Sequence, residues 1–352
     1  MDVPFIPDSE YADYLAGLGD EIHVVHFSLY VPELSDARIR LKSVEIETLI
    51  DLLRKLPGPR KYLLANGRFH RPDRYAPDRG MISLLDRLER LRSSGVLDGL
   101  IFSDAYLLMA LSDAAPDLAG RLEAVPSVNF GMDSIRKVQS VMDLIRHSRF
   151  RLPGKIALDR SVNRDPDALS GLAKAVRRHY PEAKVELLVN EGCLSRCPFR
   201  RTHEALIACA NAGMSVDSLR LNRDLGCMRI LSRSPHRILA SPFIRPEDMQ
   251  HYKDQADIFK VCGRTLGQTF LMRAINAYRE GKYAGNLLDL LDASHWMAEK
   301  WDLRNEALPE DFIQRIAACD QHCEGCPTCR EMFRRFARPR LFHLPDFSQT
   351  VG

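Results

Sequence analysis

The sequence predicts an α/β fold: a TIM-like (β/α)8 barrel followed by a small cysteine-rich C-terminal module. Three observations carry this. Short β-branched runs alternate with amphipathic helical segments, the pattern of a parallel sheet with crossover helices. The strand candidates number eight or nine, with helices between most of them, which suits a closed eightfold barrel. No glycine-rich phosphate loop follows the first strand, so the alternative, a doubly wound dinucleotide-binding sheet, lacks its signature.

Taken in order, the strand candidates are residues 23–27, 61–65, 99–102, 125–129, 155–158, 184–189, 218–221, 237–240 and 258–261. Helices are expected over 81–92, 134–145 and 167–178, where apolar residues recur at i, i+3 and i+4. Residues 266–278 and 286–298 are expected to complete the outer ring. Past Pro309 the pattern changes to closely spaced cysteines, then Arg330, Arg334, Arg335, Arg338 and Arg340, then a strandless tail. The expected division is a barrel over 1–300 and a cysteine module with its tail over 301–352. Neither an internal repeat nor a low-complexity tract is visible.

The chain has 352 residues, 45% hydrophobic and 28% charged, with a net charge of +3. That is the composition of a soluble globular protein and excludes a disordered or fibrous one. The longest apolar runs, such as 106–111, fall far short of the ~20 residues a membrane helix needs. Met1-Asp2-Val3-Pro4 has neither a basic nor an apolar leader segment, so a cytoplasmic location without membrane insertion is expected.

All nine cysteines lie beyond residue 190. In a reducing compartment clustered thiols read as metal ligands rather than disulfides. Cys193 and Cys197 follow the strand candidate 184–189, Cys227 follows 218–221, and Cys262 closes 258–261. The C-terminal ends of barrel strands share one face, so these four thiols are expected to meet on one rim. Thiolates suit iron–sulfur clusters or zinc, and four of them commonly hold [4Fe–4S]. Any one of them could instead be a small core residue. Cys209, inside a helical run over 202–212, is expected in the core, although Cys209 or His203 could complete the set in place of Cys262.

Other motifs fail on single residues. Arg200 stands where a CxxxCxxC radical-chemistry motif needs its third cysteine, and Ile207 stands where a metalloprotease needs its second histidine after His203-Glu204. There is no G-x-S-x-G elbow and no Walker loop. A second thiol set, Cys319-x3-Cys323-x2-Cys326-x2-Cys329, places four thiols within eleven residues, with Gly325 and Pro327 allowing tight turns. The spacing points to an iron–sulfur cluster or zinc, and Cys319 could serve elsewhere. His322 and His343 are expected to be exposed. The arginines that follow could meet RNA phosphates or an anionic partner, but the small net charge favours an ordinary solvated face. Asn66, Arg68, Asp104 and Asn129, at strand ends, could line a pocket or cap the next helices.

Several segments together resemble peptidase family U32, the collagenase-like proteins, over roughly residues 20–290. Ile156-Ala157-Leu158-Asp159-Arg160-Ser161 is similar to that family's L-x-R-E-L, and Glu186 through Cys197 to its E-x-F-x-x-G-x-x-C. Phe243-Ile244-Arg245-Pro246-Glu247-Asp248-Met249 is similar to N-x-K-D-L, and Lys260-Val261-Cys262-Gly263-Arg264 to K-I-E-G-R, followed by Ala277-Tyr278-Arg279. The resemblance implies a barrel whose [4Fe–4S] cluster supports oxygen-independent hydroxylation of an aromatic quinone precursor or an RNA base, with prephenate as an oxygen source in the latter. It implies Cys193, Cys197 and Cys227 as ligands, and Lys260 and Arg264 as substrate- or structure-organising groups. Arg160 and Arg264 could hold the carboxylates of such an acid or form buried ion pairs.

The departures place the chain in an outlying branch. The thiols are C-x3-C instead of C-x6-C, and Cys262 and Ser161 replace glutamates that could act as acid or base. The expected activity is hydroxylation of a small aromatic substrate or RNA, with a protein of the same family as a possible partner. The alternatives are a peptidase, for which no nucleophile, base and orienting group assemble, and a non-catalytic electron-relay or scaffold subunit.

Overall fold

A computed structural model of the chain describes residues 1–29, 31, 34–38, 44–76, 79–317, 319, 322–323 and 325–340. Eight parallel strands among them form the barrel: β1 Asp2–Pro4, β2 Val24–Phe27, β3 Arg60–Ala65, β4 Gly99–Phe102, β5 Glu123–Pro126, β6 Lys155–Ala157, β7 Lys184–Leu188 and β8 Ile258–Lys260. They pair in the order β5-β4-β3-β2-β1-β8-β7-β6. Across the remaining seam, Ala124 N donates to Arg151 O at 3.1 Å and Arg151 N to Leu122 O at 2.9 Å, a parallel bridge just ahead of β6. The result is a nearly closed TIM-like (β/α)8 barrel.

Side chains alternate across each strand. Val3, Val25, Phe27, Val185 and Leu187 point outward into the main core. There they meet helix stripes such as Met81, Leu84, Leu88 and Leu91 of Arg79–Ser93, and Leu169, Leu172, Ala173 and Val176 of Pro166–His179. Inside the barrel the two halves differ. Val24, Tyr62, Leu64, Ile101 and Val125 form an apolar cluster on β2 to β5. The other half, on β1 and β6 to β8 with one residue of β2, is charged.

Two expected strands are helical. Residues 218–221 belong to the helix Ser218–Asp224, whose amide at Arg220 donates to the capping Asp217 carboxylate at 2.8 Å. Residues 237–240 belong to a 3-10 helix, Pro235–Ala240, with Pro235 at its first position. Their alternating pattern reflects half-exposed helix faces, and β1, which was not anticipated, restores the count of eight. The fourth expected strand lies earlier, because Pro126 ends β5 and a 3-10 turn, Val128–Phe130, follows.

The strandless tail expected after Arg340 lies outside the described residues, and the stretch before it holds a small sheet. β9, Trp301–Leu303, pairs antiparallel with β10, Ala337–Pro339. A second core joins Leu231, Ile238, Leu239 and Phe243 to Leu287, Leu288, Phe312, Met332 and Phe333. It seats the helix Thr328–Phe336 against Pro235–Ala240, with Trp301 edge-on to Phe333 at 5.0 Å. Among the described residues no helix is long and apolar enough to cross a membrane.

Candidate metal centre and barrel mouth

The floor of the barrel cavity is a buried charge network. Asp2 Oδ1 lies 2.7 Å from His26 Nδ1, and Asp2 Oδ2 accepts from Lys260 Nζ at 2.6 Å and from Lys155 Nζ. Lys155 also donates to Glu186 Oε2 at 2.5 Å, and Lys260 lies 3.8 Å from Glu186 Oε1. Burial opposes ionisation of Asp2, but the two ammonium groups outweigh it and hold the carboxyl well below its ordinary value. Burial raises Glu186, and the same ammonium groups offset this only in part. Burial and then the Lys260 charge push His26 down to about 3, so its imidazole is neutral near pH 7.

Above the floor, guanidinium–carboxylate pairs ring the mouth. Arg38 meets Asp292 at 2.5 Å, Arg264 meets Asp36 at 2.6 Å, and Arg200 meets Asp159 at 2.6 Å. Arg160 pairs with Glu191 and donates to Asn129 Oδ1 at 3.2 Å. Of the organising residues expected from sequence, Arg160 and Arg264 are thus in half-buried or buried ion pairs at the mouth, while Lys260 lies deeper, in the floor. Asn66 accepts from Ala37 N at 3.0 Å and Arg68 lies 3.9 Å from Glu204. Asp104 caps the helix Ala105–Ala114 and meets His70 and Tyr75.

Beside the mouth lies a cavity of about 330 Å³ lined by Cys193, Cys197, Cys227 and His203, together with Arg38, Arg160, Glu191 and Trp296. Backbone geometry builds its thiol loop. Gly192, at φ +70°, takes a left-handed conformation, and a Cβ there would stand 2.3 Å from Ser294 Oγ. Ser241 Oγ then donates to Cys193 O at 2.5 Å. Cys227 opens the short helix Cys227–Arg233, with its Sγ 3.4 Å from Asn222 Oδ1.

Burial and then Glu191 raise the Cys193 thiol well above its ordinary value, with a further contribution from Cys197. Burial and then Cys197 raise Cys227, and burial raises Cys197 itself. Cys262 faces a different space. It lines the barrel cavity with His26, Lys260 and Arg264, its backbone clamped by Asn190, and burial followed by Asp292 pushes its thiol up to about 12. Cys209, half-buried on Arg200–Asn211, lines neither cavity. No three His, Cys, Asp or Glu side chains among the described residues are placed to hold a single metal ion.

In the tail, Cys329 sits in the first turn of Thr328–Phe336. Burial pushes its thiol up to about 12, with Cys319, Cys323 and Cys326 adding to the rise, so the four share one neighbourhood. Cys326 Sγ lies 3.4 Å from Thr328 Oγ1, and His322 is exposed. His343 lies outside the described residues.

Sequence reasoning missed Asp2, His26, Lys155, Arg38 and Asp292. The available signal for the first three was a charged or titratable residue inside an otherwise apolar strand, as in Val24-Val25-His26-Phe27.

No family model matches the chain. Over 179 residues it is 35% identical to an uncharacterized protease of Methanocaldococcus jannaschii, a match covering 50% of this chain and 51% of that protein. The match thus spans about half the length of that curated relative. A solved structure of a U32 peptidase superposes with a TM-score of 0.48 at 18% identity, covering 74% of this chain and 92% of that one.

Proposed function

We propose that this chain, a relative of the U32 peptidases, is a barrel enzyme that holds a [4Fe–4S] cluster beside its mouth and hydroxylates an aromatic or RNA-base substrate without oxygen. The supporting observation is that Cys193, Cys197 and Cys227, separated in sequence, line one cavity. The donor set suits a cluster better than a lone ion. Zinc draws its thiolates to ~2.3 Å from a single point, whereas a cluster takes its thiolates on different irons, spaced around a larger core. His203, on the same cavity, and Cys262, on the adjoining one, are the candidates for the fourth position. Three half-buried thiols, each raised by desolvation, would ionise only at a cost, and a bound cation offsets that cost.

When bound, the cluster would supply or accept single electrons. The chain's own residues would do the rest. Arg38 and Arg160, each held by a carboxylate, would orient a carboxylated co-substrate such as prephenate. Trp296 offers an aromatic wall to a planar substrate. The tail thiols would hold a second metal, iron–sulfur or zinc. Anaerobic purification with iron and sulfide analysis tests the reading. With Cys319, Cys323, Cys326 and Cys329 changed to serine, near-stoichiometric iron and sulfide, lost on further change of Cys193 or Cys227 to serine, is the expected result, and an iron-free barrel overturns it.

The relative's name favours a second reading, peptide cleavage. Cys227 is the nearest approach to a nucleophile, but Asn222 stands between it and His203, with Asn222 Nδ2 3.4 Å from His203 Nε2. The thiol therefore has no direct base. Chelator-insensitive peptidase activity, abolished in Cys227→Ala, would favour this reading.

A further inference from the structure

The chain's charge is distributed very unevenly. Residues 196–240 and 328–340 together carry thirteen arginines, no lysine and four carboxylates, a net +9 on a chain whose total is +3. The fold brings these two segments together. The helices Ser218–Asp224 and Cys227–Arg233 pack on each other, Cys227–Arg233 packs on Pro235–Ala240, and Pro235–Ala240 packs on Thr328–Phe336. His236 reports the closeness: burial lowers its pKa, followed by the charges of Arg330 and Arg237.

Asp224 is committed to Arg220 and Arg223. Arg229, Arg233, Arg237, Arg334 and Arg335 are exposed and have no carboxylate within ion-pair distance among the described residues. A small aliphatic patch adjoins them. Leu219 and Leu225 are 61% and 64% exposed, and Leu219 and Met228 also line the thiol cavity. Met228 of the cavity wall and Arg229 and Arg233 of the basic face thus share one helix, Cys227–Arg233.

We propose that this face docks a small acidic protein that carries single electrons and delivers them to the thiol cavity. The inference rests on the cluster reading above. Its reasons are complementary charge and the make-up of the patch: a few exposed aliphatic side chains beside a strip of exposed arginines suit a small, transient, electrostatically steered protein interface. RNA is the weaker fit, because readers of single strands stack bases on aromatic rings, and the exposed apolar side chains here are leucines. In the transfer the reduced carrier would lose one electron, and a cluster that Cys193, Cys197 and Cys227 would hold would accept it. No bond is made or broken.

The test uses the full chain and a plant-type [2Fe–2S] ferredoxin as the acidic probe, with iron and sulfide measured on the same samples. Affinity on the order of micromolar at low salt should fall about tenfold or more between about 20 and 200 mM salt. The triple variant R233E/R237E/R334E should lose about tenfold in affinity while keeping the circular dichroism and iron content of the parent. Absence of ferredoxin binding, or binding indifferent to the variant, overturns the proposal. So does a transfer-RNA pool that binds through these arginines while the ferredoxin does not. An iron-free chain that still binds ferredoxin through these arginines would support the surface while sinking the cluster reading.

Discussion

Asp2 is surrounded by the groups that make the barrel floor hold together. With two ammonium groups and an imidazole around one buried carboxylate, removing its charge leaves Lys155 and Lys260 with Glu186 alone. Asp2→Asn should therefore destabilise the fold by roughly 3–5 kcal/mol, read as a lower urea midpoint. His26 sets a pH dependence. Its folded pKa of about 3 lies below the unfolded value near 6.5, so on acidification the unfolded chain takes up a proton that the folded chain refuses. Stability should fall as pH drops from about 6.5 to 5, by up to about 1.4 kcal/mol per pH unit, and the slope should flatten in His26→Asn. Equal slopes in urea titrations of the two proteins would remove His26 from that role. The sequence held single signals, Lys260 by resemblance and a charged or titratable residue in an apolar strand for the others, but not their pairing. Asp2 and Lys260 are 258 positions apart, and each looks alone like a charge at a strand end.

Among the elements, most strands were legible because each is a compact apolar run, and β2 to β8 lie within a few residues of their expected places. β1 was not, since three residues including an aspartate and a proline carry no propensity of their own. They become a strand only by pairing with β2 on one side and β8 on the other. The reverse error came from Ser218-Leu219-Arg220-Leu221, whose alternation imitates a strand while Asp217 caps a helix. The thiol loop depends on one element-level device. Gly192→Ala would place a methyl group against Ser294 Oγ and Leu291 in a left-handed backbone. A loss of about 1–3 kcal/mol and a fall in bound iron are expected. The double variant Gly192→Ala/Ser294→Ala should recover only part of it, because the backbone strain remains; full recovery in thermal melts would show that the hydroxyl contact alone mattered.

For the whole molecule, the barrel puts the thiol loop after β7, the Arg160 loop after β6 and the Cys262 loop after β8 on a common face, but Cys262 lines a different cavity from the other three thiols. The long excursion between β7 and β8 was not foreseen. It carries Cys227 away from any strand end, and the tail covers it through a shared core of Leu231, Ile238, Phe243, Phe312 and Phe333. Trimming that core should therefore act at a distance. Phe333→Ala should cost about 3–5 kcal/mol and loosen the segment carrying Cys227, seen as faster amide exchange over residues 227–240 with the barrel strands unchanged. The most direct test of the central claim is electron paramagnetic resonance of the anaerobically purified, dithionite-reduced chain, with Cys319, Cys323, Cys326 and Cys329 changed to serine so that only the barrel thiols remain. A reduced [4Fe–4S] signal that disappears on further substitution of Cys227 is the expected result. A silent spectrum from a folded, iron-free barrel would contradict the account.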